Sequence, residues 1–196
     1  MRRLRLGALG LTALLSACPE SCLIQRTRPL SSPAGSAQID VLTPAAPPAP
    51  VLSQTAPRPQ HPGKGIFGGE IEYMGYDTDP LQPRGGRPVA ITYYFHALKN
   101  VSHDWKIFVH VDGRGGQARI NGDHYPAEGA LHSDQWKAGQ YIADRFVVDL
   151  PEAESKSQAD LWSGFYQDDA RLPITNPQEC VNDGNNRLLA GTLSIE

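Results

Sequence analysis

Apolar side chains recur at every second position in several short stretches of this chain, a two-residue period that belongs to β-strands and not to helices. Val89, Ile91, Tyr93, Phe95 and Ala97 alternate in this way. Trp105, Ile107, Val109 and Val111 do the same, as do Ile142, Phe146, Val148 and Leu150, with Asp144 breaking the last series. Leu189, Leu193 and Ile195 continue the pattern to the end of the chain. Successive strand side chains point to opposite faces, so each stretch is a ribbon with one face suited to a core. Turn pairs punctuate the ribbons: Gly85-Gly86, Asp112-Gly113, Gly115-Gly116, Asn121-Gly122 and Asp183-Gly184. Residues 70–76 and 159–166 are further strand candidates, and residues 151–160 fit either a helical turn or a loop. Short strands, frequent turns and no long helical period predict an all-β fold, a two-sheet antiparallel β-sandwich of Ig-like or jelly-roll-like kind, over residues 64–196.

The region before it has a different chemistry. Arg2, Arg3 and Arg5 are followed by a short apolar run and then by small residues, the arrangement of a secretory signal. The run is about half the ~20 residues that a membrane-spanning helix requires. Leu15-Ser16-Ala17-Cys18 resembles the bacterial lipobox. That resemblance implies removal of residues 1–17, lipidation of Cys18 and anchoring to a membrane, with several acyl chains contributing ~0.8 kcal/mol per buried CH₂. Pro19 stands where aspartate commonly marks retention in the inner membrane, so the expected location is the cell envelope, on the outer membrane in preference to the inner one.

Residues 18–63 are rich in Pro, Ala, Ser, Thr and Gln, with Pro44, Pro47, Pro48 and Pro50 close together. Proline fixes φ and removes a backbone donor, which stops both helix and sheet. Without apolar periodicity to offset its ordering entropy, this segment is expected to be a disordered linker. As a coil it would span on the order of 35–40 Å.

Within the β region, the stretches FVHVDG (residues 108–113), GDH (122–124), WKAGQYIADRF (136–146) and SGFYQDDARLPI (163–174) carry a second resemblance. They are similar to a β-sandwich module of bacterial envelope proteins, found after the membrane portion of some protein-mannosyltransferase-like glycosyltransferases. The transferase chemistry belongs to that membrane portion. The resemblance therefore implies an accessory or binding module and brings no catalytic residues with it.

Two constellations invite a chemical reading. His110 and Asp112 share one strand face, opposite Val109 and Val111, and Asp123 and His124 follow the next turn. Converging there, His110, Asp112, Asp123 and His124 are a candidate metal set of nitrogen and oxygen donors. The competing reading, which is preferred, makes Asp112 and Asn121 turn formers before glycine and His110 a residue of a solvated sheet face. The second constellation is aromatic: Tyr93, Tyr94, Trp105, Tyr125, Trp136, Tyr141, Trp162 and Tyr166. Aromatic rings stack on the apolar faces of sugars while neighbouring carboxylates bond the hydroxyls. Trp105 and Trp162 are expected in the core, and Trp136, Tyr125 and Asp134 are the candidate ligand-binding residues.

His132, Ser133 and Asp134 are merely sequential, whereas a catalytic triad is assembled in space with an oxyanion hole. No phosphate loop is visible, and no cofactor is expected. A net charge of −3 argues against a nucleic-acid partner. Cys22 and Cys180 remain beside Cys18, and the sequence leaves open whether they pair. The expectation is thus a non-enzymatic envelope lipoprotein that binds a glycan or an envelope protein, the alternative being a metal-binding domain, structural or hydrolytic.

Overall fold

A computed structural model describes residues 51–116 and 118–196. The expected signal, Cys18, Cys22 and most of the expected linker lie outside the described residues. Within them two antiparallel sheets form. The first has the order β1-β7-β4-β3-β2, built from β1 (Val51–Ser53), β2 (His61–Phe67), β3 (Ile71–Asp79), β4 (Pro88–Ala97) and β7 (Tyr141–Asp149). The second has the order β10-β8-β5-β6, from β5 (Lys106–Gly113), β6 (Ile120–Asn121), β8 (Ser157–Gln167) and β10 (Leu188–Ile195), with β9 (Ala170–Arg171) folded back on the end of β8. The alternating stretches occupy β4, β5, β7 and β10, the further candidates 70–76 and 159–166 fall in β3 and β8, and the all-β sandwich is the observed fold. No helix among the described residues is long and apolar enough to cross a membrane. The uncertain stretch 151–160 is a single 3-10 turn, Glu152–Glu154, leading into β8.

The inner faces make one core. Ile91, Tyr93 and Phe95 of β4 and Ile142, Phe146 and Val148 of β7 meet Ile107, Val109, Leu161 and Phe165 of the second sheet. Phe95, Trp136 and Phe165 pack their rings against one another. The strand-forming region begins earlier than residue 64. Val51–Ser53 pairs with β7 from Ala143 to Tyr141, and His61 and Pro62 pair with Tyr76 and Gly75.

Two bulges change which residues face inward. In β3 the register shifts between Tyr73 and Gly75, so Ile71 and Tyr73 point inward before the shift and Tyr76 and Thr78 after it. Gly75 has φ 133, and a Cβ there would run into the His61 carbonyl oxygen. In β10 the shift lies between Leu189 and Gly191. Leu188 and Ala190 are therefore in the core, followed by Leu193 and Ile195, and Leu189 is turned outward, contrary to the simple alternation. The tyrosines of β3 bond to this bulge. Tyr73 donates to the Ala190 carbonyl at 3.1 Å and Tyr76 to that of Thr192 at 3.1 Å, with the Tyr76 ring filling the space over Gly191.

Candidate functional site

Strand β5 presents Lys106, Phe108, His110 and Asp112 on its outer face, opposite the inward Ile107, Val109 and Val111. Strand β8 alternates in step: Leu161, Ser163 and Phe165 point inward, and Asp160, Trp162 and Tyr166 outward. Phe108 is buried on this outer face because Gly164, its direct partner on β8, has no side chain; a Cβ there would lie 2.6 Å from the ring. The Arg171 guanidinium covers Phe108 at 5.0 Å and donates to the Asn185 carbonyl at 2.9 Å.

A cleft of about 210 Å³ opens beside this ring, lined by Phe108, His110, Asp123, Tyr166, Asp168, Asp169 and Arg171. Asp123 accepts the Val109 N–H at 3.0 Å and the Tyr166 hydroxyl at 3.3 Å, and its Oδ1 lies 3.8 Å from His110 Nε2. Burial, with Arg119 nearby, holds the His110 pKa below its ordinary value, so this imidazole favours its neutral form. Lys106 extends between two rings, 5.6 Å from Tyr125 and 5.7 Å from Tyr166. The face thus combines aromatic surface with carboxylates and two cations, donors and acceptors suited to a polyhydroxylated ligand.

Further along the same face, Asp112 receives two bonds from Arg119, at 2.7 and 3.0 Å, and a third from Arg187 at 3.4 Å. The Arg119 bonds, foremost, keep the Asp112 pKa below the usual carboxylate value. Arg187 lies over the Trp162 ring at 4.8 Å. Trp162 is half-buried on this outer face and not in the core, because the phase of β8 that buries Leu161 and Ser163 turns it outward.

The other sequence-chosen residues separate. His124 turns away from His110 toward the first sheet. Its Nε2 bonds Asp144 Oδ2 at 2.9 Å and its Nδ1 the Gly122 carbonyl at 2.7 Å. Asp144, the exception in the alternation of β7, is fully buried at an inward position and accepts the Ala127 N–H through its other oxygen at 2.8 Å. Burial alone would lower the His124 pKa; the bond and charge of Asp144 outweigh it and raise the pKa above the ordinary value. The proposed metal set is therefore not assembled: His124 has both nitrogens engaged, Asp112 is held by arginines and Asp123 is bonded elsewhere. Among the described residues no group of three or more His, Cys, Asp or Glu side chains is placed to hold a metal ion.

Trp136 is fully buried beside Phe95 and Phe165, so it offers no surface to a ligand. Tyr125 is 43 % exposed, and Asp134 is exposed on the 3-10 turn Ser133–Gln135. Ser133 is buried, accepting the Trp105 N–H at 2.6 Å and donating to backbone carbonyls, while His132 bonds Asp104 at 2.7 Å and not Ser133. Cys180 has no disulfide partner among the described residues, and its Sγ lies beside the Asn176 carbonyl. Phe108, Asp168, Asp169 and Arg171 are not singled out as site residues by the sequence; they fall in the stretches 108–113 and 163–174, which carry the resemblance but no residue role. No protein-family model matches the chain, and no curated protein matches it.

Proposed function

We propose that this chain is a non-enzymatic envelope lipoprotein, anchored through Cys18 on the outer membrane in preference to the inner, whose β-sandwich binds an extracytoplasmic glycan on the outer face of its second sheet. One observation carries the glycan reading. The cleft beside Phe108 joins the half-buried ring of Tyr166 to the carboxylates of Asp123, Asp168 and Asp169 and to the guanidinium of Arg171, which covers Phe108. Sugar rings present apolar faces to aromatic side chains and hydroxyls to carboxylates and guanidinium groups, and a concave site with few convergent polar groups fixes their orientation. The resemblance to an accessory module of envelope glycosyltransferases agrees with this role, and the signal and lipobox supply the address.

The test is retention of the full chain, carrying Cys18→Ala to prevent lipidation, on immobilised envelope polysaccharides. Retention is expected, and Tyr166→Ala is expected to weaken it about tenfold, the equivalent of ~1.4 kcal/mol. Failure to bind any envelope glycan, together with recovery of one defined protein complex by crosslinking in the envelope, would replace the glycan by an envelope protein as the partner.

A further inference from the structure

We propose that the His124–Asp144 pair is a latch between the two sheets: closed, it holds the loop of residues 122–131 so that Asp123 and Tyr125 form one side of the outer-face site; opened, it releases that loop. Asp144 projects from the inner face of β7 in the first sheet. His124 is fastened to the second sheet, where its backbone exchanges two hydrogen bonds with Ile107, at 2.9 and 3.0 Å. The pair therefore spans the side of the sandwich where β7 approaches the loop.

The loop needs such a fastening. Ala127 and Glu128 both adopt left-handed conformations, with φ 53 and φ 52. Non-glycine residues persist there only when their surroundings impose it. From outside the loop, the Ala127 N–H bonds Asp144 Oδ1 and the Ala127 side chain packs on the core; the backbone bonds from Gly129 to the Tyr125 carbonyl, Ala130 to the Ala127 carbonyl and Leu131 to the Pro126 carbonyl are internal to it.

The latch is set by one proton. The Gly122 carbonyl can only accept, so His124 Nδ1 carries hydrogen. With hydrogen on Nδ1, the bond between Nε2 and Asp144 Oδ2 requires a second ring hydrogen whenever Asp144 is a carboxylate. The closed form is an imidazolium facing a buried carboxylate, and loss of the ring proton removes one bond and the charge that compensates Asp144. The groups facing the pair are the Phe146 ring on β7, Tyr93 on β4 and Asp123 on the loop, the last being reached in turn by Tyr166 of β8 and Lys106 of β5. None of the described lysines or arginines forms an ion pair with Asp144, so His124 is its counter-charge.

The latch rests on the glycan reading only for its effect on a ligand, and its test uses none. In the full chain carrying Cys18→Ala, nuclear magnetic resonance follows the His124 ring and the Ala127 amide through one pH series. Exchange protection of Ala127, corrected for the intrinsic rise of exchange with pH, is expected to fall at least tenfold as the ring loses its proton. The amides of β4 and β8 keep theirs. His124→Gln is expected to show low Ala127 protection at every pH. Unchanged Ala127 protection across the ring titration would overturn the latch, as would simultaneous loss in β4 and β8; the wild-type series decides this even if the variant does not fold. Intact coupling in a protein that binds no glycan would uphold the latch and remove the glycan reading.

Discussion

At the residue scale the molecule turns on Asp144. A carboxylate in an apolar interior is costly unless it is paired and bonded, and removal of either partner leaves the other stranded. Asp144→Ala should therefore cost about 3–5 kcal/mol in urea unfolding, since it leaves the His124 ring and the Ala127 N–H without their acceptor. The same pair makes stability depend on pH. His124 has its pKa raised on folding, so its contribution is fully present below the ordinary histidine value of ~6.5 and is lost as pH rises through the raised folded value. His110 has the opposite sign: burial holds its pKa down, so stability falls as pH drops below that ordinary value and the unfolded chain takes up the proton. Unfolding midpoints measured from mildly acid to mildly alkaline pH, below the range in which tyrosines ionise on unfolding, should decline on both sides, and His124→Gln should remove the decline on the upper side alone. The sequence pointed at both residues for other reasons. Asp144 stood out as a break in an apolar alternation, and His124 as a metal-ligand type beside Asp123. Their pairing joins positions from two sheets, and no local pattern encodes a hydrogen bond across a sandwich.

At the element scale, what alternation could reveal it did reveal, because β4, β5, β7 and β8 are long enough for a two-residue period to repeat. The short strands escaped it. β1, β6 and β9 are two or three residues long and have no period to show, and β2 contains Pro62, which speaks against a strand in isolation. The bulges caused the other departures. A one-residue slip sends every later side chain to the opposite face, which is why Leu188, and not Leu189, joins the core. Gly75→Ala tests the bulge of β3. Its positive φ and the His61 carbonyl oxygen leave no room for a methyl group, so a loss of at least about 2 kcal/mol is expected from thermal or urea unfolding. Tyr73→Phe is a milder test of the tie to β10; loss of its bond to the Ala190 carbonyl should cost about 1 kcal/mol.

At the scale of the whole molecule, the candidate site was half legible. His110, Asp123, Tyr125 and Tyr166 belong to types and positions that the sequence brought forward, and all lie on the outer face of the second sheet or on the loop beside it. Trp136 shows why reading stops there. Its neighbours Asp134 and Gly139 suggest a surface turn, but that turn folds the indole inward against Phe95 and Phe165. The proposed anchoring through Cys18 predicts that Cys18→Ala moves the protein from the membrane fraction to the soluble one with its unfolding midpoint unchanged; a variant that stayed with the membrane would place the anchor elsewhere.

Strand β1 has a consequence for how the molecule bears force. It is held to β7 by a ladder of three residues, and Leu52 within it is 45 % exposed, so that side chain adds little burial to the pairing. Any pull transmitted through the residues before Val51 loads that ladder first. It would peel away before the long β7-β4-β3-β2 register is strained, lengthening the chain by a few residues while the sandwich stays closed. Under such a load the first strand would serve as a mechanical fuse, yielding at lower tension than the rest of the sheet.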